Sequence, residues 1–287
     1  MRKVVTFGML LVALAQAGCA VSGPGSPPPA GASFSASPSA PDPVPSASTS
    51  AQSAPSTPPP SPPTPLTVVG IGDSVMAGTH CGCAGPMAAY ADLLSKATGR
   101  RVDARSFGVN GATTTSVLAQ VTTEPLRTAL QHADIVVVIV GANDLNPDAS
   151  EESSGSCDAS CYQPDVSAMG THLGQLLDQL ATIDGTSPHM ILVANYWDLF
   201  PEAGLARTGP ESAQLEWQEA ITAAANSAIR TQALGHHDIY VDTVVPFRGP
   251  GGDDDPSSLL ASDGDHPNAA GVQVLAKALV AAHPGAP

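Results

Sequence analysis

The stretch DIVVVIVG, Asp134 to Gly141, decides the fold. Six aliphatic residues run without a polar break, and four of them are valine. A strand with one face in water alternates apolar and polar side chains. An unbroken β-branched run belongs instead to a strand covered on both faces, as in a parallel sheet under helices. Related runs lie at Leu66–Ile71, Val102–Gly108, Met190–Ala194 and Ile239–Val241. Helical patterns stand between them. Pro86 to Ala97 has proline near its start and Gly99 beyond its end, the placement helices favour. Val166 to Leu180 carries Leu173, Leu176, Leu177 and Leu180 at helical spacing. Glu211 to Leu234 stops at Gly235, and Asn268 to Ala282 opens on a residue suited to cap a helix. This alternation predicts a three-layer α/β/α domain with a mainly parallel five-stranded sheet over residues 66–287.

In open sheets of this kind, sites form where loops leave the carboxyl ends of the strands. Four polar clusters fall there. Gly72-Asp73-Ser74 follows the first strand, GVNGATT (Gly108–Thr114) the second, GANDL (Gly141–Leu145) the third, and DGDHPN (Asp263–Asn268) the fifth. A serine hydroxyl is a poor nucleophile until a base takes its proton. His266 is the best base available, because Asp263 stands three residues before it on a tight loop and can fix its tautomer. Asp265 adjoins His266, but neighbouring side chains usually point apart. The other seven histidines, His80 among them, lack an acid at that spacing in a strand-end loop. Asp73 reads as structural, bonding loop backbone beside Ser74. Taken singly, each residue also suits a turn or a helix cap. The G-x-S-x-G nucleophile elbow of another serine-hydrolase fold is absent, since Met76 occupies the second position after Ser74.

Gly72–Ser74, the glycine at Gly111, Gly141–Asp144 and Asp263–His266, in this order at successive strand ends, resemble the SGNH hydrolases, also called GDSL esterases/lipases. The resemblance implies a flavodoxin-like fold and ester or thioester hydrolysis, without a cofactor or a metal. It makes Ser74 the nucleophile, with His266 and Asp263 completing the catalytic set. The Ser74 N–H, the Gly111 N–H and the Asn143 side-chain amide match the family's oxyanion donors. Glycine at 111 would let backbone approach the substrate closely. The implied substrate is a small-molecule, lipid or carbohydrate ester. A carbohydrate O-deacetylase or an acyltransferase would use the same residues. The reading from another class is a non-catalytic surface-binding lipoprotein, against which the intact residue set argues.

The chain begins with Met1-Arg2-Lys3 and an apolar run from Val4 to about Ala15, the layout of a secretory signal too short to span a bilayer as a helix. Ala15–Ala17 suits ordinary signal peptidase. Ala17-Gly18-Cys19 resembles the end of a bacterial lipobox, with Gln16 where leucine is usual. Residues 1–19 are therefore expected to be an export signal of lipoprotein type with Cys19 lipidated, which places the domain outside the cytoplasm. Membrane contact would run through that anchor alone. Residues 20–65 hold more than half of the 28 prolines and almost no bulky apolar side chain. Such a segment is expected to be a disordered tether, about 140 Å long when extended. A formal net charge of −15, with 11 Lys+Arg in the chain, argues against nucleic acid.

Lipidation of Cys19 would leave Cys81, Cys83, Cys157 and Cys161 to pair. Cross-pairing would brace two loops at the site and helps its mouth most; local pairing would close two small rings. A metal held by His80, Cys81 and Cys83 is disfavoured, because export favours disulfides. GGDDDPSS (Gly251–Ser258) reads as a solvated acidic loop rather than a calcium site. NYWDLF (Asn195–Phe200) suits either a substrate pocket or core packing.

Overall fold

The structure, a computed structural model, describes residues 63–145, 159–183, 190–201 and 212–284. These all belong to one compact unit, Pro59–Pro287. The expected signal, the tether up to residue 62, Cys19 and Cys157 lie outside the described residues. Five parallel strands, β1 (Leu66–Gly72), β2 (Val102–Gly108), β3 (Ile135–Ile139), β4 (Met190–Ala194) and β5 (Ile239–Val241), form one sheet in the order β2-β1-β3-β4-β5. This is the predicted α/β architecture. DIVVVIVG supplies the central strand, and every residue from Ile135 to Val140 is buried. The edge strands depart from the reading of strands covered on both faces, β5 with Ile239 and Tyr240 partly buried and β2 more so. In β2, Asp103, Arg105 and Ser106 face solvent.

The helices are α1 (Ser74–Ala77), α2 (Pro86–Thr98), α3 (Thr114–Gln120), α4 (Leu126–Gln131), α5 (Gln163–Ala181), α6 (Ser212–Gly235), α7 (Val244–Arg248) and α8 (Ala269–Ala282). α2 packs on α8, while α5 packs on both α3 and α6. These two groups form the outer layers. α5 buries Val166, Met169, Leu173, Leu176, Leu177 and Leu180 along one stripe, as its leucine spacing predicted. Burial of such side chains contributes about 1.5–3 kcal/mol each, the main favourable term in the fold. Among the described residues, no helix is long and apolar enough to cross a membrane.

β1 hands over to the site by a sharp change of direction. Gly72 adopts φ 147°, and a Cβ there would overlap the carbonyl oxygen of Ile139. That carbonyl instead accepts from the Asp73 N–H at 3.0 Å. Only glycine lets the chain cross β3 so closely.

Candidate active site

Asp73 caps α1, its side chain accepting from the Val75 N–H at 2.9 Å. This places Ser74 at the first helical position, half-buried at the carboxyl edge of the sheet. The loop before α8 is wound around two side chains. Asn268 accepts from the N–H groups of Ala270 and Gly271, which caps α8, and its amide donates to the carbonyls of Ser258 and Leu260. Oδ1 of Asp263 accepts from the backbone N–H groups of Asp265, at 3.2 Å, and His266, at 3.1 Å. The other oxygen, Oδ2, lies 2.8 Å from His266 Nδ1. His266 Nε2 lies 2.8 Å from Ser74 Oγ.

Serine, imidazole and carboxylate thus stand in line. With Asp263 ionised, Nδ1 carries the proton and Nε2 accepts from the serine hydroxyl. In this arrangement an imidazole can draw off a serine proton. Burial pushes the Asp263 carboxyl up. The hydrogen bonds from Asp265 N–H, the His266 ring and His266 N–H outweigh that and hold it below its ordinary value. It is therefore ionised at neutral pH. Asp265 is farther from Nδ1, at 3.6 Å, so Asp263 is the closer partner as the sequence spacing suggested.

The other predicted residues converge on the same edge. Asn143 sits in a 3-10 turn, Ala142–Leu145, directly after β3. Its amide donates to the Ala112 carbonyl at 3.0 Å, which ties it to the loop carrying Gly111. Asp144 holds the turn against α3 by accepting from the Thr114 N–H at 2.8 Å and from the Thr114 hydroxyl. Among the described residues, nothing accepts from the backbone N–H of Ser74 or Gly111. Gly111 has φ 74°, and a Cβ there would meet nothing within 4 Å. Its glycine therefore answers to the backbone conformation rather than to a close contact within the protein.

Residues 71–274 match the GDSL-like lipase/acylhydrolase family. The chain belongs to that family. This GDSL hydrolase is accordingly an ester-hydrolysing enzyme, and small-molecule esters are its substrate class. A lipase from a goat rumen metagenome shares its fold with a TM-score of 0.60 at 18% identity, covering 76% of this chain and 97% of that one. A variant of an acetyl xylan esterase from Geobacillus stearothermophilus gives 0.53 at 17% identity, covering 76% and 94%. An alpha/beta hydrolase enzyme from the metagenome of Lake Arreo, Spain, gives 0.51 at 21% identity, again covering 76% and 94%. No curated protein matches the sequence.

Three features of the hydrolase differ from, or were missing in, the sequence reading. The first concerns the cysteines. Cys81 bonds Cys83, with Cα atoms 5.2 Å apart, so of the two pairings left open the local ring forms at this end and not the cross-pairing. Two residues apart in a tight turn, these cysteines have a Cα separation that a disulfide ordinarily spans. The same bond occupies both sulfurs of the His80-Cys81-Cys83 metal set. Cys161 is disulfide-bonded too.

The second is Tyr196. NYWDLF proves to be largely core, with Tyr196, Trp197 and Phe200 buried and Trp197 stacked on Phe247 at 4.1 Å. Trp197 and Asp198 also line a cavity of about 300 Å³ beside α6 and α7. The Tyr196 backbone is clamped at both polar groups by the Asn226 side chain of α6. Its hydroxyl donates to Oδ2 of Asp73. Asp73 is therefore structural, as expected, but it is also a fully buried acid beside Ser74. Burial pushes its carboxyl up to about 6, against the hydrogen bonds from Tyr196 and Val75.

This shift has a sign that can be tested. The folded protein holds the Asp73 proton more tightly than the unfolded chain, whose carboxyl has the ordinary value of 3.8. Asp73 thus adds stability that is fully present below about pH 4 and is lost as pH rises through about 6, roughly 3 kcal/mol in all. Asp73→Asn keeps the cap and flattens that component. Urea unfolding of both proteins at pH 4, 5, 6 and 7 reads it: the stability difference between them shifts across the window, and parallel profiles would contradict the assignment.

The third is His80. The sequence offered no acid for it, yet the fold brings its Nε2 to 3.8 Å from Asp263 Oδ2.

Proposed function

We propose that this GDSL hydrolase works as a serine esterase outside the cytoplasm. Ser74 Oγ attacks the ester carbonyl while His266 Nε2 takes its proton. Asp263 holds the imidazole and offsets the charge it gains. The oxyanion is received by the N–H groups of Ser74 and Gly111 and by the Asn143 amide. His266 then protonates the leaving alcohol, and water releases the acyl group from Ser74 by the same path in reverse order. The observation that carries this reading is the unbroken line from Asp263 Oδ2 through His266 to Ser74 Oγ, both contacts 2.8 Å.

A p-nitrophenyl ester series from acetate to long acyl chains, run beside acetylated polysaccharide, tests it. Turnover of at least the short esters is expected, and none with any substrate would contradict it. The polysaccharide arm distinguishes a carbohydrate deacetylase from a general esterase. Asn143→Ala is expected to lower kcat by about 10²–10³, with KM changed far less, because the donor acts on charge that appears only in the transition state. Full activity in that variant would remove Asn143 from the site.

The basic start, the apolar run, Cys19 and the proline-rich segment support a lipid-tethered position on the outer face of the cytoplasmic membrane. A diacylglyceryl mass increment on Cys19 in membrane-extracted protein is the expected finding, and an unmodified or soluble chain is the contrary one.

A further inference from the structure

Among the described residues, one group of three side chains has metal-ligating atoms close together: His80, Asp263 and His266, all within 4.8 Å of one another. Asp263 Oδ2 is the hub, 3.8 Å from His80 Nε2 and 2.8 Å from His266 Nδ1. Zn2+ bound tetrahedrally at 2.0–2.2 Å from N and O ligands spaces those ligands about 3.3 Å apart. The observed separations lie on either side of that figure, so small side-chain rotations close the set. His80 is free to make them, with its side chain 61% exposed. Its ring stands 5.4 Å from that of His266, at 51°. His80 has φ 57°, a left-handed conformation uncommon outside glycine but one that histidine adopts more readily than most residues. It is followed at once by the Cys81–Cys83 ring.

We propose that His80, Asp263 and His266 form an inhibitory site for Zn2+, and for other divalent ions that favour imidazole. Two imidazoles and one carboxylate suit Zn2+ over Mg2+ or Ca2+, which take oxygen ligands. Its consequence for activity rests on the catalytic reading above; the binding itself does not. In the active form Nδ1 of His266 carries the proton and Nε2 is the base. A metal at Nδ1 needs the lone pair there, so the proton moves to Nε2 and the ring stays neutral. Nε2 then donates toward Ser74 Oγ and can no longer accept its proton. Asp263 is drawn to the metal in the same event. His80 takes no part in hydrolysis, so the site acts as a brake.

Two measurements on the full chain test this. In calorimetric titration with ZnCl2, the Ser74→Ala protein is expected to bind Zn2+ at this site, and adding His80→Ala weakens that binding at least about tenfold. In ester hydrolysis, Zn2+ inhibits the Ser74-intact protein reversibly, with recovery on EDTA, and equal Mg2+ or Ca2+ does not. The His80→Ala single variant keeps its metal-free turnover within about twofold and needs at least about tenfold more Zn2+ for half inhibition. Coincident inhibition curves with and without His80, or no His80-dependent binding in the Ser74→Ala background, would overturn the proposal. Failure of the catalytic reading would show separately, as turnover retained by Ser74→Ala without metal.

Discussion

Replacing Ser74 by alanine is expected to lower kcat by about 10⁴–10⁶-fold while the protein folds as before. The size follows from the role. Without the hydroxyl there is no covalent acyl intermediate, and only the oxyanion donors and binding remain, a residue of about 10³–10⁴ over the uncatalysed reaction. The intact fold follows from the local structure. The serine side chain's hydrogen bond is to His266. The cap that sets α1 belongs to Asp73, and alanine is a better helix former than serine. Turnover of p-nitrophenyl acetate, with a thermal melt for each protein, reads both halves. Activity within tenfold of the unaltered enzyme would mean that the contact with His266 is incidental.

The second large effect is expected from Asp263→Asn, a change of one atom. Both backbone N–H groups that reach this side chain, from Asp265 and His266, end on Oδ1. An asparagine keeps its carbonyl oxygen there, because its NH2 cannot accept from them. The NH2 is therefore forced into the place of Oδ2, facing His266 Nδ1, and donates to it. That pins the imidazole in the tautomer with its proton on Nε2, where it cannot serve as base. A loss of about 10⁴-fold in kcat is expected, with KM far less affected and the loop unchanged. A loss below tenfold would show that Asp263 does not set the tautomer. This variant and the zinc complex reach the same inactive tautomer by different routes, one permanent and one reversible.

The fold could be read from the sequence where burial leaves a plain signature. DIVVVIVG is uninterrupted because β3 is central and covered on both faces, and the bounds read for β2, β4 and β5 are those observed. Legibility fails where short polar segments are held by local bonds. α3 is not among the helices read from the sequence, yet Thr113 and Ser116 form a reciprocal cap at its start. That signal was present in the sequence and is easily lost among turn residues. For the candidate site, the meeting of Ser74, Asp263 and His266 was legible because a serine, a histidine and a carboxylate at strand ends form a pattern that turn chemistry does not require. Tyr196 and His80 were not. Tyr196 reaches Asp73 across 123 positions, through a clamp on its backbone that no local pattern records. His80 comes to 3.8 Å from Asp263 across 183 positions, from a turn in which it is left-handed, and no local pattern records that approach. The choice between cross-pairing and local rings stayed open for a related reason: parity counts cysteines without saying which ones a turn brings together, and at Cys81 it is the local ring that forms.

The most direct test of the central claim is covalent. A fluorophosphonate reports on the serine whose hydroxyl a neighbouring base has activated, so peptide mass spectrometry after labelling asks which serine that is. The account predicts a single adduct on Ser74, formed in step with the loss of ester turnover and absent from the His266→Ala protein. An adduct on any other serine, or turnover lost without an adduct on Ser74, would contradict it.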